Sequence, residues 1–206
     1  MKKPHEPFDY PIDPLKYLVA GLDEAGRGPL VGEVVAACVV LDHSRPIKGL
    51  NDSKKLSEKR RNELYDQIVK NARAYGIAGI GPDIIDRINI LNASFLAMTN
   101  AYLKMALQCN LLLIDGNRKI PDMPVAQQPV VRGDSQVPEI MAASILAKVT
   151  RDRQMIELDR RYPQYGFASH KGYPTELHLQ RLAEFGVLPC YRKTYRPVQK
   201  ILARGR

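Results

Sequence analysis

Two apolar runs open the readable pattern of the chain. Leu18–Leu22 ends in the adjacent acids Asp23 and Glu24, and Val34–Leu41 carries no charge at all. Runs of this kind joined by Gly26-Arg27-Gly28 predict strand, turn, strand. The polar stretch from Asp42 to Lys55 reads as a loop. Ser57 suits a helix cap with Glu58 in the first turn, and Leu64, Tyr65, Ile68, Val69 and Ala72 then share one face. Ala74–Ile80 predicts a third strand. Pro82-Asp83 opens a short helix with Ile84, Ile85 and Ile88, and Asn92 is placed to cap the next, from Ala93 to about Leu107. Leu111–Ile114 is a continuous apolar run, as in central strands, and ends in Asp115-Gly116-Asn117. Pro129-Val130-Val131-Arg132 leads through Gly133 to Asp134. Pro138 fits the first turn of a long helix reaching about Arg160, which Pro163 and Gly166 end. Ser169–Thr175 is a loop before a helix to Phe185. Residues 1–17, with Pro4, Pro7, Pro11 and Pro14, read as an extended lead-in. Strands lead and helices dominate the second half, so the expected class is α/β with a helical C-terminal part.

Composition narrows the setting. The chain has 206 residues, 45% hydrophobic and 26% charged, which suits one well-cored domain. It shows no long uncharged apolar span and no apolar signal core after Met1-Lys2-Lys3, so a cytoplasmic protein without membrane contact is expected. Cys38, Cys109 and Cys190 lie far apart, with no metal-binding spacing. Six cations of the net +9 lie after Phe185, at Arg192, Lys193, Arg196, Lys200, Arg204 and Arg206, with no acid among them. Tyr191 and Tyr195 are interleaved with them, and a basic end of this kind suits a polyanion.

The candidate chemistry lies at the ends of the predicted strands. Asp23, Glu24, Asp115 and Asp134 all occupy such ends, where open α/β sheets bind ligands. If the ends are neighbours, the carboxylates converge and require cations. Two metal ions about 3.5–4 Å apart would neutralise them and serve phosphodiester hydrolysis. One obstacle is local, because adjacent residues of a strand point to opposite faces. Taken singly, Asp115-Gly116 also reads as a turn and Asp134 as a helix cap. The neighbouring Gly26-Arg27-Gly28 adds close backbone approach and a phosphate-seeking guanidinium. Ser144, Lys148 and Arg151 recur at helical spacing on one face, which fits a phosphate backbone or a solvated, ion-paired surface. His170-Lys171-Gly172-Tyr173 offers two potential cations and an aromatic for a sugar or base, or a loop anchor. Lys54 and Lys55 follow a polar loop and could meet a phosphate.

Five motifs in order resemble ribonuclease HII over roughly residues 18–200: GLDEAGRGPLVG (21–32), NDSKKLS (51–57), LIDGNR (113–118), GDS (133–135) with AASILAKVTRD (142–152), and HKGYPT (170–175). The resemblance implies a ribonuclease H-like fold, a central mixed β-sheet flanked by helices with a helical C-terminal region. It implies a catalytic domain over 18–206 after an N-terminal extension, 1–17. It further implies hydrolysis of the RNA strand of RNA–DNA hybrids and cleavage 5′ to single ribonucleotides in duplex DNA, leaving 3′-hydroxyl and 5′-phosphate ends, a place in ribonucleotide excision repair, a monomer, and two divalent ions, Mn²⁺ or Mg²⁺. On that resemblance Asp23, Glu24, Asp115 and Asp134 are the metal-binding carboxylates. Gly26, Arg27 and Gly28 read the ribonucleotide 2′-hydroxyl, Tyr173 stacks on the junction sugar, and Lys54, Ser144, Lys148 and Arg151 line the phosphate path. Glu33 departs from the proline of many relatives, and Thr194–Val198 only approximates the family's Ser-Phe-x-Pro-Val. The related HIII type usually carries a lysine in the Gly-Arg-Gly position and an extra N-terminal domain, which this sequence does not show. A resolvase or exonuclease of the same superfamily would share the carboxylates but not the Gly-Arg-Gly and Tyr173 pair. A non-catalytic nucleic-acid binder would leave the carboxylates unexplained.

Overall fold

Strands β1 (Val19–Ala25), β2 (Val34–Val40), β3 (Ala74–Ile80), β4 (Leu111–Asp115) and β5 (Ala126–Val130) form one sheet in the order β3-β2-β1-β4-β5. The structure is a computed structural model and describes residues 8–204; the expectations for residues 1–7 and Arg206 lie outside the described residues. β2 runs antiparallel to β1 and β3, whereas β4 and β5 run parallel to β1. β1 and β2 are covered on both faces, so their sequences run apolar rather than alternating. β5 is an edge strand and therefore tolerates Pro129, which a central strand would not. It begins at Ala126, ahead of the apolar run that the sequence suggested.

Helices α1 (Glu58–Asn71), α2 (Pro82–Lys104) and α3 (Pro138–Arg161) clothe the sheet. α2 packs Ala93, Ala97, Met98 and Ala101 against Ala20, Leu22, Ala36, Leu112 and Ile114. On the other face α1 and α3 set Leu64, Ile68, Ala142, Ala143 and Ile145 against Val35, Ala37 and Val39. A further cluster joins the loop after β1 to the C-terminal helices α4 (Phe167–His170), α5 (Glu176–Phe185) and α6 (Arg196–Arg204) through Leu30, Val31, Met155, Phe167, Leu182, Tyr191 and Val198. The expected mixed sheet flanked by helices is therefore what the chain forms. No helix among the described residues is long and apolar enough to cross a membrane.

Local sequence signals explain most element ends. The Ser57 hydroxyl accepts from the Arg60 N–H at 3.3 Å and Thr175 caps α5 through His178 N–H at 3.3 Å. The expected cap at Asn92 is corrected. α2 breaks at Asn89, which takes φ 64°, and the Asn89 side-chain Oδ1 accepts from the N–H groups of Leu91 at 3.0 Å and Asn92 at 3.2 Å. Asn92 is thus inside the helix that Asn89 starts. The cap lies where the backbone turns, and asparagine adopts positive φ more readily than most residues.

The described part of the lead-in packs against the sheet and α3. Phe8, Tyr10 and Ile12 pack beside Leu111, Val137 and Ile140. Tyr10 donates to the fully buried Glu139 at 2.7 Å, and His43 Nε2 lies 3.0 Å from the same carboxylate.

α3 crosses β1 at backbone contact. A Cβ on Gly21 would lie 2.2 Å from the Glu139 carbonyl carbon and 2.3 Å from the Ile140 nitrogen. Gly21→Ala is therefore expected to destabilise the protein by about 3 kcal/mol, because backbone cannot yield as a side chain can. A urea titration beside wild type measures this, and an unchanged midpoint would mean that α3 does not rest on Gly21.

Candidate active site

The site is assembled by register. Leu22 of β1 lies beside Ile114 of β4, and Ile114 beside Pro129 of β5, so these parallel strands end together. Asp23 shares the face of β1 that Val19 and Gly21 present to α3, and Asp115 shares that of Leu111 and Leu113. Asp134 enters from the 3-10 turn Gly133–Ser135 after β5, and its N–H donates to Asp115 Oδ1 at 3.2 Å. Carboxylate oxygens of Asp23, Asp115 and Asp134 all come within 4.8 Å of one another.

Glu24 stands outside the trio of closest oxygens but lines the same cleft as Asp23. Strand pairing continues through both residues, Asp23 opposite Ala37 and Glu24 opposite Ala36, so the pleat turns Glu24 towards the α2 side. There it lines a hollow with Ser94, Phe95, Met98 and Asp115. Arg27 pairs with it at 3.3 Å. Its charge still acts on Asp23 from beside the trio.

Electrostatics mark the cluster as unstable when bare. Burial raises the Asp23 carboxyl well above the usual range, and the charges of Glu24 and Asp115 raise it further, against hydrogen bonds from Ser144 and the Glu24 N–H. Burial also raises Asp115, opposed by the Asp134 N–H and assisted by the Asp134 charge. Glu24 is raised by burial, with Arg27 opposing. Lys54 Nζ lies 3.5 Å from Asp134. Burial lowers Lys54, but the charges of Asp134 and Asp23 outweigh it and hold the ammonium above its ordinary pKa. One surface lysine does not balance this concentration of carboxylate. An all-oxygen donor set with one open side fits a hard divalent cation.

Asp23 and Glu24 form one wall of a cleft of about 470 Å³. Gly26, Arg27 and Gly28 line it, as do Lys54, Ser144, Lys148 and Tyr173. Ser144 is buried and shares a 2.9 Å hydrogen bond with Ser53. Lys148 donates to Asp152 at 2.7 Å. Tyr173 is 44% exposed and its ring covers Gly28, where an added Cβ would sit 3.4 Å from Cε1. It is not a core anchor. Arg61 also lines the cleft and donates to the carbonyls of Ser53 at 2.9 Å and Leu56 at 2.5 Å. The sequence reading missed Arg61; its place in the first turn after the polar loop was the available signal.

Three further expectations are corrected by burial. Arg151 does not face a phosphate path: it is 1% exposed and donates to the carbonyls of Lys171 at 2.9 Å and Val31 at 3.1 Å. Burial, with the nearby Arg192 charge adding, lowers it to about 10. Seven positions beyond Ser144, it has passed beneath the loop, where a Cβ on Gly26 would lie 2.1 Å from Arg151 Nε. Arg192 is not among the tail cations open to a polyanion, being fully buried against the loop after β1. His170 is not a cation either. Its Nδ1 accepts from the Gly172 N–H at 3.1 Å, so Nε2 carries the proton and donates to Tyr165 O at 2.9 Å. Burial lowers its pKa, consistent with the neutral ring.

A family model for Ribonuclease HII matches residues 20–198. Among solved structures, the ribonuclease H2 from Pyrococcus horikoshii OT3 is similar over 90% of this chain and 97% of its own, with 26% identity and a TM-score of 0.78. The RNase HII of the PCNA:RNase HII complex from Archaeoglobus fulgidus is 27% identical over 87% of this chain and 95% of its own, with a TM-score of 0.71. Bst-RNase HIII in complex with Mn²⁺ shares the fold at a TM-score of 0.75 and 16% identity, over 92% of this chain and 70% of its own.

The support beneath Tyr173 is pH-sensitive. His178 is fully buried, donates from Nδ1 to Tyr173 O at 2.8 Å and accepts at Nε2 from the Tyr191 hydroxyl at 2.9 Å. Burial lowers it to about 4. A histidine depressed on folding binds protons more readily when unfolded, so its stabilisation is complete above about pH 6.5 and lost as pH falls towards 4. The expected loss is about 3 kcal/mol, with His170 acting in the same direction. Melting curves across this window should steepen in wild type relative to His178→Gln; parallel curves would refute the role.

Proposed function

The chain belongs to the ribonuclease HII family and is a ribonuclease H endonuclease; on that premise we propose that it cuts the RNA strand of RNA–DNA hybrids and cuts duplex DNA 5′ to a single embedded ribonucleotide, leaving 3′-hydroxyl and 5′-phosphate ends. The observation that carries the reading is that Asp23, one of three carboxylates whose oxygens lie within 4.8 Å of one another, lines with Glu24 a cleft that also holds the Gly-Arg-Gly backbone and an exposed tyrosine over Gly28. The catalytic domain is residues 18–206, with 1–17 as its extension.

Asp23, Asp115 and Asp134 would hold the divalent cations, and Glu24 would complete the set from beside Asp23. Two bound ions, Mg²⁺ or Mn²⁺, supply charge stabilisation at the phosphoryl group and an activated water. The Ser144 hydroxyl, held by Ser53 at 2.9 Å, sits beside Asp23 and favours its charged form. Lys54 and Lys148 stand beside the carboxylates, where phosphate oxygens of a bound strand would lie. The Gly26–Gly28 backbone meets the 2′-hydroxyl, the group that separates RNA from DNA at one position. Glycine permits that approach because no side chain intervenes. Tyr173 stacks on the sugar at the junction.

Asp134→Asn removes one ligand charge while keeping the shape. We expect at least a hundredfold loss of turnover, in line with the loss of several kcal/mol of transition-state stabilisation, and a smaller rise in melting temperature on adding Mn²⁺ than wild type shows. Unchanged turnover would sink the ligand assignment.

The central test is a DNA duplex with one ribonucleotide, incubated with Mg²⁺ or Mn²⁺ beside an all-DNA duplex and a metal-free control. A metal-dependent cut on the 5′ side of the ribonucleotide, with plain DNA intact, is expected. Tyr173→Ala should slow this cut more than cleavage of a continuous hybrid. Equal cutting of plain DNA, or none at the ribonucleotide, would refute the proposal.

A further inference from the structure

The guanidinium of Arg192 makes more contacts than any catalytic hypothesis requires. It donates to the carbonyl oxygens of Gly26 at 2.7 Å, Arg27 at 3.0 Å, Pro29 at 2.8 Å and Gly32 at 2.9 Å, and to the Tyr195 hydroxyl at 3.0 Å. The Tyr195 hydroxyl in turn donates to Arg27 O at 2.7 Å. Arg192 is fully buried without a carboxylate partner within ion-pair reach among the described residues. Four main-chain carbonyls take the place of a counter-ion. Only a planar, forked donor can bind so many at once; a lysine ammonium could not. The backbone on either side of Arg192 is pinned to the same loop, since its N–H donates to Leu30 O at 2.8 Å and Gly32 N–H donates to Cys190 O at 2.9 Å. Gly26 and Gly32 take φ of 98° and 75°, the left-handed region that lets the carbonyls turn inward.

The orientation has a consequence for the outer side of the loop. The described backbone contains no cis peptide bond. In a planar trans peptide the N–H points opposite to the C=O. With the Gly26 and Arg27 carbonyls turned to the guanidinium, the N–H groups of Arg27 and Gly28 point away from it. Among the described residues, neither of these two N–H groups has an acceptor. They belong to residues that line the cleft beneath Tyr173. A carbonyl bonded to a cation also polarises its own peptide unit, which strengthens the N–H on the far side as a donor.

We propose that Arg192 is the positioning residue for ribose recognition: by drawing the Gly26 and Arg27 carbonyls inward it presents the Arg27 and Gly28 N–H groups to the sugar, and so sets the preference for a ribonucleotide over a deoxyribonucleotide at the cut site. This rests on the reading that the Gly26–Gly28 backbone meets the 2′-hydroxyl. Tyr195 assists through a hydroxyl that relays between Arg192 and Arg27 O. The basic C-terminal segment thereby acts on specificity from inside the protein, without touching the substrate through Arg192.

The test compares wild type, Arg192→Lys and Tyr195→Phe on two duplexes that differ by one hydroxyl. With Mn²⁺, kcat and KM are measured on the one-ribonucleotide duplex, and the all-DNA duplex is titrated as a competitor. For Arg192→Lys, kcat/KM should fall about tenfold or more while the competitor's inhibition constant shifts less than about twofold. For Tyr195→Phe a fall of about threefold is expected, again with the inhibition constant unchanged. Melting curves on the same samples establish folding. If Arg192→Lys does not fold at the assay temperature, Tyr195→Phe decides, and an unchanged kcat/KM overturns the proposal. Parallel losses of kcat/KM and competitor affinity also overturn it, because they would mark Arg192 as a support of the fold alone. A wild type that leaves the one-ribonucleotide duplex uncut overturns the functional reading beneath it, an outcome visible before any variant is compared.

Discussion

Three carboxylates held within 4.8 Å of one another, against their own repulsion, are the constraint to which the rest of the structure answers. Flexible loops would let such groups drift apart. Here Asp23 and Asp115 directly follow the last paired residues, Leu22 and Ile114, of adjacent parallel strands whose hydrogen bonds fix their spacing. The contact of α3 with Gly21 fixes the height of β1 against the helix that carries Ser144. Burial adds to the repulsion by disfavouring the charged forms of Asp23 and Asp115. The scaffold thus stores an unfavourable arrangement that a hard divalent cation relieves, and so the site is preorganised rather than assembled by its ligand.

A second constraint shapes the cleft opposite. Arg151 and Arg192 are both buried beside the loop after β1 and bond to carbonyls rather than carboxylates. Arg151 ties this loop to the segment before Tyr173, and Arg192 ties it to the chain before α6. The aromatic and aliphatic cluster around Tyr165, Phe167, Leu182 and Tyr191 supports all three segments from beneath. The C-terminal helices therefore belong to the active site without contributing a metal ligand. They hold the backbone whose N–H groups face the cleft.

Glu33 shows how one departure from the family pattern is accommodated. Its carboxylate accepts from Gln154 at 2.7 Å, and it occupies the space beside Gly79, where a Cβ would lie 2.0 Å from Glu33 Oε2. The change sits at the start of β2, away from the carboxylate trio, and leaves strand pairing intact from Val34 onward.

The sequence by itself determined most elements up to Phe185 and the identity of the acids, but not the helices α4 and α6. Uninterrupted apolar runs marked β1, β2 and β4, and Pro138 marked the start of α3, because these signals are set by neighbours along the chain. The motifs placed Asp23, Glu24, Asp115 and Asp134 at strand ends. What only the tertiary structure decided was direction and burial. The pleat put Asp23 and Glu24 on different faces, and the reach of α3 sent Arg151 under the loop while Lys148 stayed in the cleft. Arg192 and His170 read as cations in a basic, polar context, yet one is a buried staple and the other a neutral ring. Their partners are main-chain carbonyl and N–H groups, which every residue carries, so no residue type in the sequence could announce them. Local pattern fixes which segments form; packing between distant segments fixes which polar side chains meet water and which meet backbone.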